Sequence, residues 1–205
     1  PRMSQTLCSL ARAAELVQSG RSLLIAGEES LLAQLPRGSW IGGTIPYFLA
    51  QGGGAFSTEE VFVTELPGYI ESSRITVYDP GDLSSGYADG PDNGFSFVII
   101  PGMSETHLSF ALGAPDYPQF ASRPLVGWIA GVELDRIGEQ APKVVDGGSG
   151  LFLDDAAVVM HVTLPAGRAA DIGIVNIFKP GSGDVLRFPA TGFSASEVEV
   201  DGRTV

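Results

Sequence analysis

The chain has 205 residues, of which 44% are apolar and 18% charged, with 12 Lys and Arg against 24 Asp and Glu. Folded as one or two domains, a chain this long buries roughly 70% of its extended surface, and so low a charge fraction excludes intrinsic disorder. A formal charge of −12 repels phosphate backbones and anionic headgroups, so neither nucleic acid nor a membrane surface is expected as a partner.

The lone cysteine, Cys8, has no internal disulfide partner, which reads as an intracellular chain, or at least one that does not depend on disulfides. The longest apolar runs, 97–100 and 156–160, are strand-sized and far short of the roughly 20 residues a bilayer span needs. Residues 1–4 carry no signal-peptide core. Met3 is read as a native start, residues 1–5 as a vector-derived or disordered remnant, and the location as cytoplasmic.

Helical spacing of Leu7, Leu10, Ala11, Ala14, Leu16 and Val17 predicts a helix from Thr6 to Ser19, stopped at Gly20. Leu23 to Ala26 follows as a buried strand, then a short helix from Glu29 to Leu35 ended by Pro36. Trp40 to Ile45 reads as a strand whose central Gly42 and Gly43 mark close approach by a backbone or a ligand. After a loop at 51–54, Glu60 to Leu66 and Arg74 to Tyr78 are strands, and residues 79–94, rich in Gly, Pro and Asp, form a polar loop. Phe95 to Ile100 is a buried strand. Ser104 caps a helix that runs through Leu112 until Pro115 and Pro118 break it.

The remaining strands are read at Leu125 to Val132, Lys143 to Val145, Leu151 to Leu153, Ala156 to Leu164, Ile172 to Phe178, Val185 to Phe188 and Glu197 to Val200, separated by Gly-containing turns. The expected fold is α+β (mixed α/β). It holds one large mixed sheet or two packed sheets with flanking helices, predominantly antiparallel in the C-terminal half.

The chemistry-bearing residues are few. His161 lies in an apolar strand and reads as a core or surface histidine, and His107 as a solvated first-turn residue. No Gly-x-Ser-x-Gly elbow is present, and Cys8 reads as a packed small hydrophobe, so no catalytic residue is assigned. One Cys and two distant His cannot form a zinc site. Asp79, Asp82, Asp89 and Asp92 crowd one loop without the ligand order of an EF-hand, and Gln51 to Gly54 has no Lys-Ser/Thr behind it to hold a phosphate. Neither metal nor cofactor is expected.

Two segments combine small residues with large amphipathic ones: Gly42, Gly43, Thr44 and Tyr47 in one, and Arg123, Gly127, Trp128 and Gly131 in the other. Trp40-Ile41-Gly42-Gly43 and Trp128-Ile129-Ala130-Gly131 echo each other, and two such strands side by side would floor a cleft with backbone. Thr44 would offer a hydroxyl, Arg123 a fork for a carboxylate, and Trp128 an apolar wall. Tight packing between sheet layers, with Trp128 filling a core, is the favoured account of the same residues.

Trp40 to Thr44, Glu60 to Thr64 and Pro124 to Gly131, in that order, resemble the N-terminal domain of FIST proteins, with its early Gly-Cys-Ser/Thr strand and later Gly-Gly-x-Ala-Gly strand. Gly150-Leu151-Phe152 with Ala156 to Val162 resembles the family's central hairpin, and Glu197 to Arg203 its closing Asp-Gly segment. Gly43 stands where the family has Cys or Ser, and Pro46-Tyr47 where it has a Gly-Glu pair, so polar contacts there would differ. The resemblance implies a single domain over residues 6–205, without the family's C-terminal half. It further implies a cytoplasmic sensory module of a bacterial signal-transduction system that binds a small ligand, such as an amino acid or small carboxylate. Its partners would be that ligand, a signalling output domain and a second copy in a homodimer. The alternatives from the residues are a hydrolase using His107 with Ser104 or Glu105, and a structural protein-interaction module.

Overall fold

A computed structural model describes residues 3–120 and 122–205. Its first element is a strand, β1 (Ser4–Ser9), where helical spacing predicts the start of a helix. β1 is followed by α1 (Leu10–Gln18), β2 (Leu23–Gly27), α2 (Glu29–Leu32), β3 (Trp40–Thr44), β4 (Tyr47–Ala50), β5 (Gly53–Phe56) and β6 (Glu60–Glu65). Next come β7 (Ser72–Tyr78), β8 (Gly94–Pro101), α3 (Glu105–Gly113), β9 (Leu125–Ala130), β10 (Val144–Asp146), β11 (Leu151–Leu153) and β12 (Ala157–Thr163). The short strands β13 (Leu186–Arg187), β14 (Glu199–Val200) and β15 (Arg203–Thr204) close the chain. Pairing decides the first element: residues 4–9 run antiparallel to β6 in unbroken register from Ser4 opposite Glu65 to Ser9 opposite Glu60. The helix starts only where the Ser9 hydroxyl accepts the Arg12 N–H, and it stops at Gly20, whose φ of 75° lies in the left-handed region. Ser4 and Gln5 are thus paired strand residues, and the reading of residues 1–2 lies outside the described residues.

The chain divides into two units, residues 1–170 and 171–205. The first holds a six-stranded sheet in the order β1-β6-β2-β3-β10-β11 and a four-stranded sheet in the order β7-β12-β8-β9. β2–β3 and β8–β9 are parallel, and the other pairs in these sheets are antiparallel. Period-two alternation then separates three apolar layers. Leu23, Ile25, Trp40, Val61 and Val63 point outward from the larger sheet and meet Ala13, Leu16 and Val17 of α1 and Leu32 of α2. Leu24, Ile41 and Val144 point inward and meet Phe97, Ile99, Val158, Met160 and Val162 of the smaller sheet. Val98, Ile100, Ala157 and Val159 face the opposite way, towards Phe110 of α3 and Leu83 of the 79–93 loop. The first unit is therefore layered helix, sheet, sheet, helix: a mixed α+β fold dominated by sheets, with the two-sheet alternative realised.

β4 and β5 form a hairpin not foreseen in the sequence, with Gly53 at φ 112° at its turn. The expected strand from Ile172 to Phe178 is absent. That run lies outside any strand, with Ile174, Val175, Ile177 and Phe178 each at least 80% exposed. In the second unit, β13, β14 and β15 make a three-stranded sheet of two-residue strands, shorter than the runs expected at 185–188 and 197–200. No helix among the described residues is long and apolar enough to cross a membrane.

Candidate functional site

Between the two sheets of the first unit lies a cavity of about 450 Å³, within the range typical of small-molecule sites. Its inner wall comes from alternate residues of the larger sheet: Leu24 and Ala26 of β2, Phe62 and Thr64 of β6, and Gln5 of β1. The facing wall is Phe97 of β8 with Val126, Gly127 and Trp128 of β9, the edge strand of the smaller sheet. Ile45 and the hairpin residues Tyr47, Phe48 and Leu49 border a third side, which opens to solvent at Leu49. The hairpin is anchored by the Phe48 ring stacked on Phe62, with centroids 5.7 Å apart, and by the Leu134 N–H donating to the Tyr47 hydroxyl at 3.2 Å.

The lining is mostly hydrocarbon and aromatic carbon. Its polar groups are neutral: the Gln5 amide, which donates to the Thr64 hydroxyl at 3.5 Å, the Tyr47 hydroxyl, and the Trp128 indole. The Trp128 N–H is buried and is the only buried side-chain polar atom among the described residues with no hydrogen-bond partner.

The structure separates the residues singled out in the sequence. Tyr47, Gly127 and Trp128 line the cavity. Thr44 is buried below it and fully engaged, its hydroxyl accepting the Lys143 N–H at 2.8 Å and donating to the Lys143 carbonyl at 3.3 Å. Gly42 and Gly43 pack the layers. A Cβ on Gly42 would strike the Ile25 carbonyl and the Trp40 ring, and one on Gly43 would sit 2.7 Å from Ile99 Cγ2 and 3.3 Å from Trp128 Nε1. Gly131 is held close to β3 by its N–H on the Thr44 carbonyl at 2.7 Å. Arg123 is elsewhere: it donates to the Gly90 carbonyl and pairs with Asp92 at 2.6 Å, so its fork is not in the cavity wall. β3 and β9 do come together, but in facing sheets rather than side by side, which is why their small residues seat side chains instead of flooring a cleft.

Sequence reading missed Leu24, Ala26, Phe62, Thr64 and Phe97, because which face of a strand lines a gap depends on sheet pairing. The period-two signal was present in Val61-Phe62-Val63-Thr64, where the two valines go to the helix side and the other two residues to the cavity.

The histidines lie apart from the cavity. Ser104 caps α3 by accepting the His107 N–H at 3.0 Å and donating to the Pro101 carbonyl at 2.8 Å, while His107 Nδ1 accepts the Met103 N–H. Ser104 is committed to the cap, which removes the nucleophile from the proposed His107 group. His161 is buried on the outward face of the smaller sheet, with Nδ1 2.8 Å from the Ser96 hydroxyl and Nε2 2.9 Å from the Tyr78 hydroxyl. Tyr78 in turn donates to Asp89 at 3.0 Å. A carboxylate only accepts, so the direction of the chain is set: Tyr78 gives its proton to Asp89, accepts from Nε2–H, and leaves a bare Nδ1 to take the Ser96 proton. Burial, reinforced by the Arg74 charge, lowers the His161 pKa to about 4, and burial with the Asp89 bond raises that of Tyr78 to about 12. Burial also pushes the Cys8 thiol up, away from a reactive thiolate. Among the described residues no three His, Cys, Asp or Glu side chains gather as a metal site.

The model of a family of unknown function, DUF6976, matches residues 8–205. The chain belongs to that family. No curated protein matches this DUF6976 chain, and no solved structure does. The family's match crosses both units of the fold and takes in β2, β4, β6, β8 and β9, the strands that build most of the cavity wall.

Proposed function

We propose that this DUF6976 chain is a small-molecule-binding domain that acts in the cytoplasm as a sensory module, with the inter-sheet cavity as its ligand site. The observation that carries this reading is the cavity itself: a concave, mainly apolar space of about 450 Å³ with a few neutral polar groups. The resemblance to FIST N-terminal domains supports the sensory role and a signalling partner downstream, and a homodimer is part of the same proposal. Arg123, paired with Asp92, gives an amino acid or carboxylate no anchor in this wall.

The test is thermal melting of the full chain against amino acids, small carboxylates and neutral aromatic compounds. A ligand at 100 times its Kd adds about 2.7 kcal/mol, which raises Tm by several degrees in a domain of this size. Ala26→Leu, which puts a larger side chain into the cavity, is expected to abolish the shift. Silence from every class, with the wild-type chain folded, overturns the reading.

A second reading, a protein-interaction module, is favoured by the exposed apolar run Ile174, Val175, Ile177 and Phe178. Under that reading the chain grows in light-scattering size with concentration, and ligands leave its melting unchanged.

A further inference from the structure

We propose that the ligand of the inter-sheet cavity is a neutral, mainly apolar molecule with one hydrogen-bond acceptor, and that the acceptor is taken by the indole N–H of Trp128. The proposal rests on the ligand-binding reading above and specifies its ligand.

Charge excludes the ionic alternatives. Among the described residues no Lys, Arg, His, Asp or Glu lines the cavity, so a carboxylate or an ammonium group buried in it would lose its hydration with no counter-charge from them to replace it. The chain's net charge of −12 adds a further barrier to anions. Arg123, the cation anticipated for a carboxylate, is held by Asp92 and the Gly90 carbonyl.

The orphan donor supplies an independent argument. Buried donors without an acceptor are rare and cost about 1–3 kcal/mol each. Trp128 carries one in the cavity wall, over Gly43, where any side chain would crowd the N–H. The other tryptophan shows the usual outcome, its N–H donating to the Pro36 carbonyl at 3.0 Å. A ligand that fills the apolar space and brings a carbonyl or ether oxygen to Trp128 removes this cost. Nε1 is closed off from solvent, so this hydrogen bond requires the indole to tilt towards the cavity as the acceptor arrives.

Three probes of nearly the same size separate the possibilities: acetophenone, which is neutral with an acceptor, ethylbenzene, which has none, and benzoate, which is charged. Binding to the full-length chain is followed in amide-correlation NMR, where the two tryptophans give two indole N–H signals. Acetophenone is expected to bind about tenfold more tightly than ethylbenzene, and benzoate least. It should also move the Trp128 indole signal downfield while the Trp40 signal stays. Trp128→Phe should make the two neutral probes equal. Its amide dispersion reports whether the variant is folded, and the wild-type indole shift tests the same point without a variant.

Equal binding of ketone and hydrocarbon with no indole shift overturns the acceptor assignment and leaves the cavity reading standing. Tightest binding by benzoate overturns the neutral-ligand assignment. Binding by none of the probes, together with a silent melting panel, overturns both the proposal and the reading beneath it.

Discussion

The two faces of the four-stranded sheet both hold polar aromatic groups, and they treat them in opposite ways. On the outward face His161 has both ring nitrogens paired, and its partners continue the chain to Asp89. On the inward face the Trp128 N–H has no acceptor. A saturated network of this kind fixes structure: it ties β12 to β8 through Ser96, and to β7 and the 79–93 loop through Tyr78 and Asp89. An unsaturated donor beside a cavity is a cost without a structural return, and it is the group to which a ligand can add most.

The sharpest way to break the contrast is His161→Leu, which strands the Ser96 hydroxyl and removes the donor to Tyr78. A loss of at least about 3 kcal/mol is expected in denaturant unfolding. A loss below about 1 kcal/mol would show the network to be incidental. Acid probes the same group without a variant. The unfolded chain protonates this histidine near 6.5 and the folded chain only near 4, so between those values acid favours the unfolded state. The contribution is complete above about pH 6.5 and is lost as pH falls towards about 4, amounting to up to about 3 kcal/mol. Arg74, Asp89 and Arg123 set the local field, and Asp89 alone of the three opposes the shift. His161→Leu should flatten this part of the stability profile, and an unchanged slope would assign it to other groups. The smallest effect is expected from Arg123→Ala: about 1 kcal/mol or less in stability, because its Asp92 partner is 97% exposed, and no change in ligand affinity. A large affinity loss would put Arg123 back into the site.

Strands buried on both faces were the most legible elements. Leu23 to Ala26, Trp40 to Thr44, Phe95 to Ile100 and Ala157 to Thr163 are continuous apolar or small-residue runs, and each is found within about a residue of its expected bounds. The first nine residues misled because Leu7, Leu10 and Ala14 fit a helical period, while the strand depends on β6, more than fifty residues away. The hairpin was hidden by its glycines, which read as loop. The site was legible only in part, for a geometric reason. Trp128 and Tyr47 announce themselves by size and amphipathic character, whereas Ala26 and Thr64 matter only because pairing places them opposite β9. Gly43 was noticed for the right property, its missing side chain, but the space so freed is filled by Ile99 and Trp128.

The run from Ile172 to Phe178 has a consequence for handling the protein. It is β-branched, uncharged and outside any strand, the composition of segments that stack into cross-β fibrils. Asp171 on one side and Lys179-Pro180 on the other act as gatekeepers, and the chain's strong negative charge keeps copies apart. The long-range repulsion weakens as pH approaches the isoelectric point near 4.4. Colloidal stability therefore declines in the same acid range that strains His161, and concentrated stocks keep best at neutral pH and low salt.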